Sequence, residues 1–284
     1  MHLLSFFARF HTLKEELSQD YIDRFSGLGR LYGEAALPRL QAAHVAVIGI
    51  GGVGSWAAEA LARSGIGKIT LVDLDDVCVT NVNRQLPALQ TEFGKSKVSV
   101  VAERLRLINP ELEVHEVIKF FTEKTANEIL EPAFDCVIDA IDQLEHKAFL
   151  IGTCFERKIS IVASGGAGGK SNPASVSTDD LACASNDGLL KILRKMLRTD
   201  FGFPLEPTRT PFGIRAVYSK EKARYPWSDG SVRAEPEEGS RLRLNCDSGF
   251  GTSAQVTGTF GFAAAAEAVD CVLKLTPKPV WTSK

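Results

Sequence analysis

From residue 44 the chain alternates between continuous apolar runs and stretches of helical periodicity. HVAVIGIGGVGSWAAEALARSGIGKITLVDLDD, residues 44–76, indicates a strand, a glycine turn, a helix and a second strand. A strand without polar alternation is typical of a parallel sheet that is covered on both faces. Further strands are predicted at 113–118, 134–138 and 159–163, with helices over 95–109 and 142–158 between them. This alternation predicts an α/β fold, a Rossmann-like doubly wound and mostly parallel sheet.

The pattern changes after Gly165. GGAGGK, residues 165–170, is rich in glycine, residues 189–198 have the periodicity of a basic amphipathic helix, and residues 201–239 are rich in proline and turn formers. We therefore predict an inserted basic lobe in the second half. The small residues of 250–275 predict a closing helix that packs tightly against the sheet.

The composition is that of a folded globular protein. The 284 residues are 44% hydrophobic and carry a net charge of −2, which excludes a disordered chain and a wholly basic nucleic-acid binder but leaves room for a local basic patch. The six cysteines are scattered without a C-x-x-C pair, so neither a disulfide framework nor a zinc ribbon is indicated. The five histidines have no metal-binding spacing, and no transition-metal site is predicted.

The apolar N-terminal residues do not have the pattern of a secretory signal, so we predict a cytoplasmic protein with an extension that is dispensable or docks a partner. Residues 248–266 contain no acidic or basic residue, and their number approaches the ~20 residues that span a bilayer. Their Gly, Ser, Thr and Gln content favours a buried helix instead. We predict no membrane insertion and leave surface association open.

The glycine turn GIGGVG, residues 49–54, lies between a predicted strand and helix. Glycines there allow a tight turn, and they let backbone N–H groups approach a phosphate at the helix N-terminus. Asp73 ends the second strand, where a ribose-binding carboxylate belongs in a dinucleotide fold. These features alone serve NAD and ATP equally well.

The polar residues that follow the second strand favour ATP. They are Asp75, Asn83, Arg84, Gln85, Lys95 and Lys97. Arginine and lysine can bind a triphosphate, whereas a hydride-transfer site has little use for two cations. Asp139 and Asp142 end the fourth strand, and Asp142 is a candidate ligand for Mg²⁺. The alternatives are a helix N-cap for Asp142 and a solvated loop for Arg84 and Lys97.

Together, GIGGVGS, LVDLDDV, NVNRQ, GKSK and IDAID resemble the ubiquitin-activating (ThiF-like) superfamily of adenylating enzymes, over about residues 24–167. In that superfamily these motifs bind ATP and Mg²⁺ and promote attack of a carboxylate on the α-phosphate. The resemblance implies catalytic roles for Arg84, Lys97 and Asp142, the last also as metal ligand. The expected ATP contacts are Gly49, Gly51, Gly52, Gly54, Ser55, Asp73, Asp75, Asn83, Arg84, Gln85 and Lys97.

The resemblance also implies a homodimer in which an N-terminal arginine crosses the interface. Arg24 is the candidate for this catalytic arginine, with Arg30 as the alternative. We accordingly divide the chain into an N-terminal extension at 1–20, an ATP-binding core at 21–170, and a third region at 171–284. That third region combines a substrate- and RNA-binding insertion with a C-terminal segment packing on the core.

A narrower likeness extends over nearly the whole chain after residue 20. SGGAGGK, YPWSDG and NCDSGFGTSAQVTGTFGF are similar to the tRNA threonylcarbamoyladenosine dehydratase branch. That likeness implies a ligase-type, ATP-dependent cyclisation of the threonylcarbamoyl group in the tRNA anticodon loop, through an acyl-adenylate. It also raises a sulfur-transfer protein as a partner and a monovalent cation near the GFGTSAQ segment.

The acyl-adenylate can be attacked by the neighbouring carbamoyl group of the same molecule, so proximity supplies much of the second step. No enzyme nucleophile is then required. Cys246, in NCDSGFG, remains a candidate thiol that could trap an acyl group, and the alternative is a small buried residue in a structured loop.

An RNA partner calls for positive charge. Between Lys191 and Arg243 there are twelve Lys and Arg against seven Asp and Glu. The candidate RNA-binding residues share one face of the predicted basic helix: Lys191, Arg194, Lys195 and Arg198. Three aromatic residues could stack on unpaired bases: Tyr218, Tyr225 and Trp227. The alternative is a solvated helix face with ordinary packing aromatics.

Three other functions remain open at this point. One is adenylation of the C-terminal glycine of a ubiquitin-like sulfur-carrier protein, against which the missing C-x-x-C pairs count. Another is an NAD-dependent oxidoreductase that uses the same glycine turn. The third is a non-catalytic RNA-binding protein that keeps a relic nucleotide site.

Overall fold

The computed structural model describes residues 17–205, 210–238 and 250–275. Its centre is a seven-stranded sheet formed by β1 His44–Ile48, β2 Lys68–Val72, β3 Glu113–Val117, β4 Cys136–Asp139, β5 Ile161–Ser164, β6 Val176–Asp180 and β7 Arg215–Ser219. The α-helices among the described residues are α1 Gln19–Tyr32, α2 Ala36–Ala42, α3 Gly54–Arg63, α4 Lys97–Ile108, α5 Ala126–Ile129, α6 Leu144–Arg157, α7 Gly188–Asp200 and α8 Ala254–Leu273. A small hairpin, β8 Tyr225–Pro226 and β9 Val232–Arg233, is separate from the sheet.

The strand order is β3-β2-β1-β4-β5-β7-β6, and every pairing is parallel except that of β6 with β7. The predicted doubly wound, mostly parallel class is confirmed. The predicted strands differ from those observed by one or two residues at their ends. Chain order reverses between β1 and β4, and a crevice at such a switch point is where open α/β sheets bind ligands.

Strand β1 shows why the sequence has no polar alternation here. Val45 and Val47 face a core layer that contains residues of α3, α4 and α8. Ala46 and Ile48 face the opposite layer, with residues of α5, α6 and α7. Both faces of the strand are buried, so every position is apolar.

The second half of the chain completes this same sheet. Strands β6 and β7 extend it beyond β5, and α7 buries its leucines in the layer shared with α6. The residues predicted to form an inserted lobe thus supply two strands and a covering helix, with the β8–β9 hairpin beside them. The functional division at residue 170 stays a prediction.

Helix α8 is the small-residue helix expected at the end of the chain. It packs against α3 so closely that a Cβ on Gly261 would lie 2.6 Å from the Val53 carbonyl oxygen. Among the described residues, it is the one helix long and apolar enough to cross a bilayer, and 67% of its apolar window is buried in the protein. Core helices of this kind pass the same test of length and composition.

Candidate active site

A cavity of about 450 Å³ opens at the carboxyl ends of the strands. Its walls come from the loops after β1, β2, β4 and β5, the start of α7, and residues 250–257. Asp142, the expected metal ligand, lines it together with eight of the expected ATP contacts: Gly49, Gly51, Gly52, Asp73, Asp75, Arg84, Gln85 and Lys97. The tertiary structure therefore brings the separate motifs to one place.

Two positions of the turn require glycine, each for a different structural reason. Gly49 has φ +92°, which disfavours any residue with a Cβ. A Cβ on Gly54 would lie 1.8 Å from the Gly49 carbonyl oxygen, so only glycine lets α3 begin this close to β1.

Two of the expected ATP contacts, Gly54 and Ser55, do not line the cavity. The Ser55 hydroxyl donates to Gly51 O at 2.7 Å and accepts from Leu86 N at 3.2 Å, so it ties the glycine turn to the loop after β2.

The Asp73 carboxylate holds the glycine turn against β2. It accepts hydrogen bonds from Ile50 N at 2.6 Å and Asp75 N at 2.9 Å. Burial raises the pKa of this carboxyl group, although both backbone donors and Lys97 oppose the rise. A carboxylate has about four acceptor positions, so two remain for donors of a bound ligand.

Lys97 is the first residue of α4, and its ammonium group is 2.8 Å from the Asp75 carboxylate. The lysine side chain is only 7% exposed, whereas that of Asp75 is 53% exposed. Lys97 is therefore held at the cavity wall as a nearly buried cation whose carboxylate partner is half exposed. A polyphosphate in the cavity can replace or share that partner.

The segment 83–85 places three polar side chains differently. Arg84 lines the cavity, and its guanidinium group donates to Thr80 O and Asn83 Oδ1. The Gln85 side chain is buried in the cavity wall, and its Oε1 has no hydrogen-bond partner within the described part of the chain. Asn83 donates to Thr252 O at 2.9 Å and lies outside the main cavity. Asn83 therefore links this loop to the segment before α8.

The backbone of Arg84 is fixed from two sides. Its carbonyl oxygen accepts a hydrogen bond from Trp56 Nε1 and another from Thr257 Oγ1, both at 3.1 Å. Helices α3 and α8 thus position this residue together. Such anchoring leaves the guanidinium group free to change partners without moving the loop.

A buried ion pair supports the loop after β4. Asp139 and Lys147 have no exposed side-chain surface, and their charged groups are 2.8 Å apart. The Lys147 ammonium also donates to Ile141 O, and Ile141 N donates to Asp139 Oδ1. Burial raises the pKa of Asp139, and Lys147 opposes the rise. The pair fixes the backbone immediately before Asp142.

Asp142 is exposed on the cavity wall. The N-cap of α6 is Gln143, not Asp142, so the alternative assignment as a helix cap does not hold. No group of three or more metal-binding side chains occurs among residues 17–205, 210–238 and 250–275. A single carboxylate beside a phosphate site nevertheless suits Mg²⁺, which often takes one or two protein carboxylates together with substrate phosphates.

Other predicted residues lie away from the cavity of this chain. Arg24 forms an ion pair with Asp20 at 2.9 Å and approaches Ile108 O, near the amino ends of the strands. Arg30 lies in the same helix, α1. Cys246 and residues 1–16 lie outside the described residues, as does the beginning of the GFGTSAQ segment.

The predicted RNA-binding helix residues divide into two pairs. Lys191 and Lys195 are exposed on α7. Arg194 donates to Leu181 O, and Arg198 donates to Pro204 O. The two lysines are therefore more available to a phosphate backbone than the two arginines.

The predicted stacking residues require a correction. Tyr218 is buried in β7, so it cannot stack on an unpaired base. Tyr225 contacts Phe250 with ring centroids 5.4 Å apart. One face of Trp227 carries the Arg233 guanidinium group at 3.7 Å. The tyrosine assignment failed because residues 201–239 were interpreted as turns, which concealed a buried strand.

Four charged residues that line or support the cavity were not among the sequence-predicted site residues: Lys119, Lys147, Lys170 and Asp187. Lys147 occupies a buried position of α6, where a charge signals a specific partner. Asp187 accepts a hydrogen bond from Leu190 N and caps α7, and an Asp directly before a leucine-rich helix is a recognisable N-cap pattern. Lys170 ends the GGAGGK motif, which the sequence predicts to be a flexible turn lining the site after the fifth strand, and this motif does line the cavity.

The fold and the cavity define an α/β nucleotide-binding protein with a triphosphate-compatible site of the adenylate-forming kind. The sequence matches the ThiF family over residues 26–282, and the chain belongs to that family. The resemblance inferred from the motifs is thereby confirmed.

Two curated relatives and one solved structure are similar over most of their length. The tRNA threonylcarbamoyladenosine dehydratase of Escherichia coli is 48% identical over 255 residues, covering 89% of this chain and 94% of the relative. The enzyme of the same name from Haemophilus influenzae is 45% identical, covering 90% of this chain and 95% of the relative. The crystal structure of the E. coli enzyme in complex with ATP has a TM-score of 0.79 at 42% identity, covering 91% of this chain and 97% of that one.

Proposed function

We propose that this chain catalyses the ATP-dependent dehydration of threonylcarbamoyladenosine in tRNA through an acyl-adenylate. One observation carries the proposal: Arg84, Lys97 and Asp142 meet the glycine turn in a single cavity. The full-length similarity to two dehydratases supports the same substrate. The carrier-protein and NAD alternatives have no comparable support in the described structure.

In the first step, formation of the acyl-adenylate, each of the site residues has its own role. The glycine turn receives phosphate oxygens at the start of α3, and Asp73 takes the ribose. Arg84 and Lys97 stabilise the negative charge that develops as the substrate carboxylate attacks the α-phosphate and pyrophosphate leaves. Asp142 would hold Mg²⁺, which supplies further charge neutralisation when bound. Burial of Lys97 strengthens its electrostatic effect, because little water screens it.

The second step needs no covalent intermediate with the protein. The carbamoyl group lies next to the activated carbonyl in the same molecule, and closure of the ring releases AMP. We infer that tRNA reaches the cavity with its phosphates near Lys191 and Lys195, and that the protein acts in the cytoplasm, where its substrate is. Participation of Cys246, a sulfur-transfer protein or a monovalent cation stays a prediction.

The test uses the full chain, ATP, Mg²⁺ and tRNA carrying threonylcarbamoyladenosine. We expect ATP–pyrophosphate exchange that depends on this tRNA, and a modified nucleoside that has lost one water by mass spectrometry. Exchange stimulated by a carrier protein's C-terminal glycine instead of tRNA would favour the carrier-adenylating alternative. Unmodified tRNA is the matched control, since it offers the same phosphates without the reacting carboxylate.

We also propose that two copies associate through the Phe262 surface, which we define as Trp56, Val79, Val82 and Phe262. The Trp56 and Phe262 rings are 6.0 Å apart, and both valines and Phe262 are at least half exposed. Trp56 Nε1 donates to the carbonyl oxygen of Arg84, in the loop after β2 that also contains the two valines. Arg24 or Arg30 as a cross-interface arginine stays a prediction.

Phe262→Glu is expected to convert the dimer to a monomer, because it buries a charge in an apolar contact. Sedimentation velocity measures the change. Leu107→Glu is the matched control, since Leu107 is 84% exposed on α4 and lies outside the Phe262 surface. A Phe262→Glu protein with the wild-type sedimentation coefficient would contradict this interface.

A further inference from the structure

Asp187 is a nearly buried carboxylate in the cavity wall for which the adenylation step has no use. It is 6% exposed and lines the cavity together with Gly165, Gly166 and Gly188. Its Oδ2 accepts a hydrogen bond from Gly166 N and its Oδ1 accepts one from Leu190 N, both at 2.9 Å. Two of about four acceptor positions are thus occupied, and the others remain for a substrate N–H.

The surroundings of Asp187 are rigid. A Cβ on Gly165 would lie 2.3 Å from Asp187 Oδ2, so glycine is required for the loop after β5 to lie against this carboxylate. The Lys170 ammonium donates to the carbonyl oxygens of Asn186 and Glu221, which fixes the backbone just before Asp187. The carboxylate is therefore held in place before any substrate binds.

The topology places Asp187 at the β5 side of the cavity, away from Asp73 and the glycine turn. The loops after β2 and β1 carry Asp73 and the glycine turn, the loop after β4 carries Asp142, and the loop after β5 contacts Asp187. These strands are consecutive neighbours, spaced by about 4.8 Å each. A nucleotide over β2 and β1 therefore presents its phosphates toward β4. The threonylcarbamoyl group, which reacts at the α-phosphate and then closes the ring, then lies on the side of β5.

The other candidate bases among the described cavity residues have different positions or partners. Asp73 lies at the nucleotide end, and Asp75 is paired with Lys97. Asp142 is the proposed magnesium ligand. The His146 ring is 3.1 Å from Phe121 O through Nδ1, which holds it beside the segment that follows β3. Asp187 is the carboxylate that faces the β5 side.

Ring closure requires a base whichever carbamoyl atom attacks. A bond forms between that atom and the activated carbonyl carbon, the bond from this carbon to the AMP oxygen breaks, and AMP leaves with the electron pair. The product is neutral at the ring only if a carbamoyl N–H loses its proton. We propose that the Asp187 carboxylate accepts this proton during ring closure and then releases it to water.

This proposal rests on the proposed function and extends it to the second step. Burial raises the pKa of Asp187, while its two backbone donors and the charges of Lys170 and Lys147 oppose the rise. A carboxylate with a raised pKa is a stronger base than an exposed one. The two backbone hydrogen bonds favour the charged form, so they keep Asp187 a carboxylate that can accept a proton.

The test separates ring closure from adenylation. Asp187→Asn and Asp187→Ser both keep an acceptor for the helix cap but remove the carboxylate. In both variants we expect tRNA-dependent ATP–pyrophosphate exchange close to that of the wild type, with ring closure slowed by about 100-fold or more in single turnover. The acyl-adenylate should then persist, and hydroxylamine should convert it to a hydroxamate detectable by nucleoside mass spectrometry.

The matched control is Asp180→Asn. The Asp180 carboxylate also accepts hydrogen bonds from backbone N–H groups, those of Ala182, Phe212 and Gly213, but it does not line the cavity. We expect it to alter stability without uncoupling the two steps. Wild-type ring closure in Asp187→Ser, or a parallel fall of exchange and product in both Asp187 variants, would overturn the assignment. A wild-type protein without exchange or product would instead overturn the proposed function.

Discussion

Arg84→Ala is expected to slow adenylate formation by about 100- to 1,000-fold, which is the usual loss when one positioned donor to a developing negative charge is removed. The Arg84 side chain lines the cavity, and its guanidinium group donates to Thr80 O and Asn83 Oδ1. Its backbone carbonyl, which Trp56 and Thr257 hold, survives the substitution. The rate of tRNA-dependent ATP–pyrophosphate exchange measures the effect.

The control for this prediction is Arg63→Ala. Arg63 is an exposed residue at the end of α3, opposite the glycine turn, and its partner Glu59 keeps a second ion pair with Arg104 when Arg63 is removed. We expect wild-type exchange from it and a melting temperature close to that of Arg84→Ala. A normal exchange rate in Arg84→Ala would remove Arg84 from the catalytic set and weaken the triphosphate interpretation of the cavity.

Lys147→Met is expected to lower the free energy of unfolding by about 3–5 kcal/mol, because it leaves the Asp139 carboxylate buried without its partner. It also removes the donor to Ile141 O, so the loop that carries Asp142 loses an anchor. Denaturant titration measures the stability, and the exchange assay should show an additional loss of activity. Lys158→Met is the control, since Lys158 follows the same helix at its exposed end.

The pH dependence of the stability of Lys147→Met follows from Asp139. Burial raises the folded-state pKa of this carboxyl group, so the folded state favours its protonated form more than the unfolded state does. The contribution of Asp139 to the free energy of unfolding is therefore largest below its unfolded-state pKa, and it is lost as pH rises through its folded-state pKa. Removing Lys147 enlarges that difference, and the stability deficit of Lys147→Met should therefore shrink on acidification. A deficit that grows as pH falls would contradict the buried pair.

Much of the site could be predicted from short motifs. Glycines at a strand-to-helix turn, an aspartate at the end of the next strand, and cations soon after it occupy positions that the α/β topology brings to one sheet edge. Gly49, Asp73, Arg84, Lys97 and Asp142 therefore line one cavity, as the resemblance implied. Each motif is only a few residues long, so local pattern suffices to find it, and the α/β topology brings the motifs together.

Other assignments failed or were missing because burial and tertiary contacts decided them. Lys147 is buried against Asp139 of the preceding strand, and Asp187 contacts the loop after β5. Tyr218 was expected at an RNA surface, but β7 is an inner strand of the sheet and buries it. No local pattern distinguishes a solvated charge or ring from a buried one when the covering element is far along the chain.

The alternation of apolar runs, glycine turns and helical stretches was enough to determine the parallel α/β class, and short motifs were enough to indicate the family and to predict the edge of the sheet where a nucleotide binds, because each pattern is local. Tertiary structure decided which charges are buried, that β6 and β7 extend the same sheet, and that Asp187 joins the ATP-site residues around one cavity. Those properties depend on packing between distant segments, where burial changes what a carboxylate or an ammonium group can do.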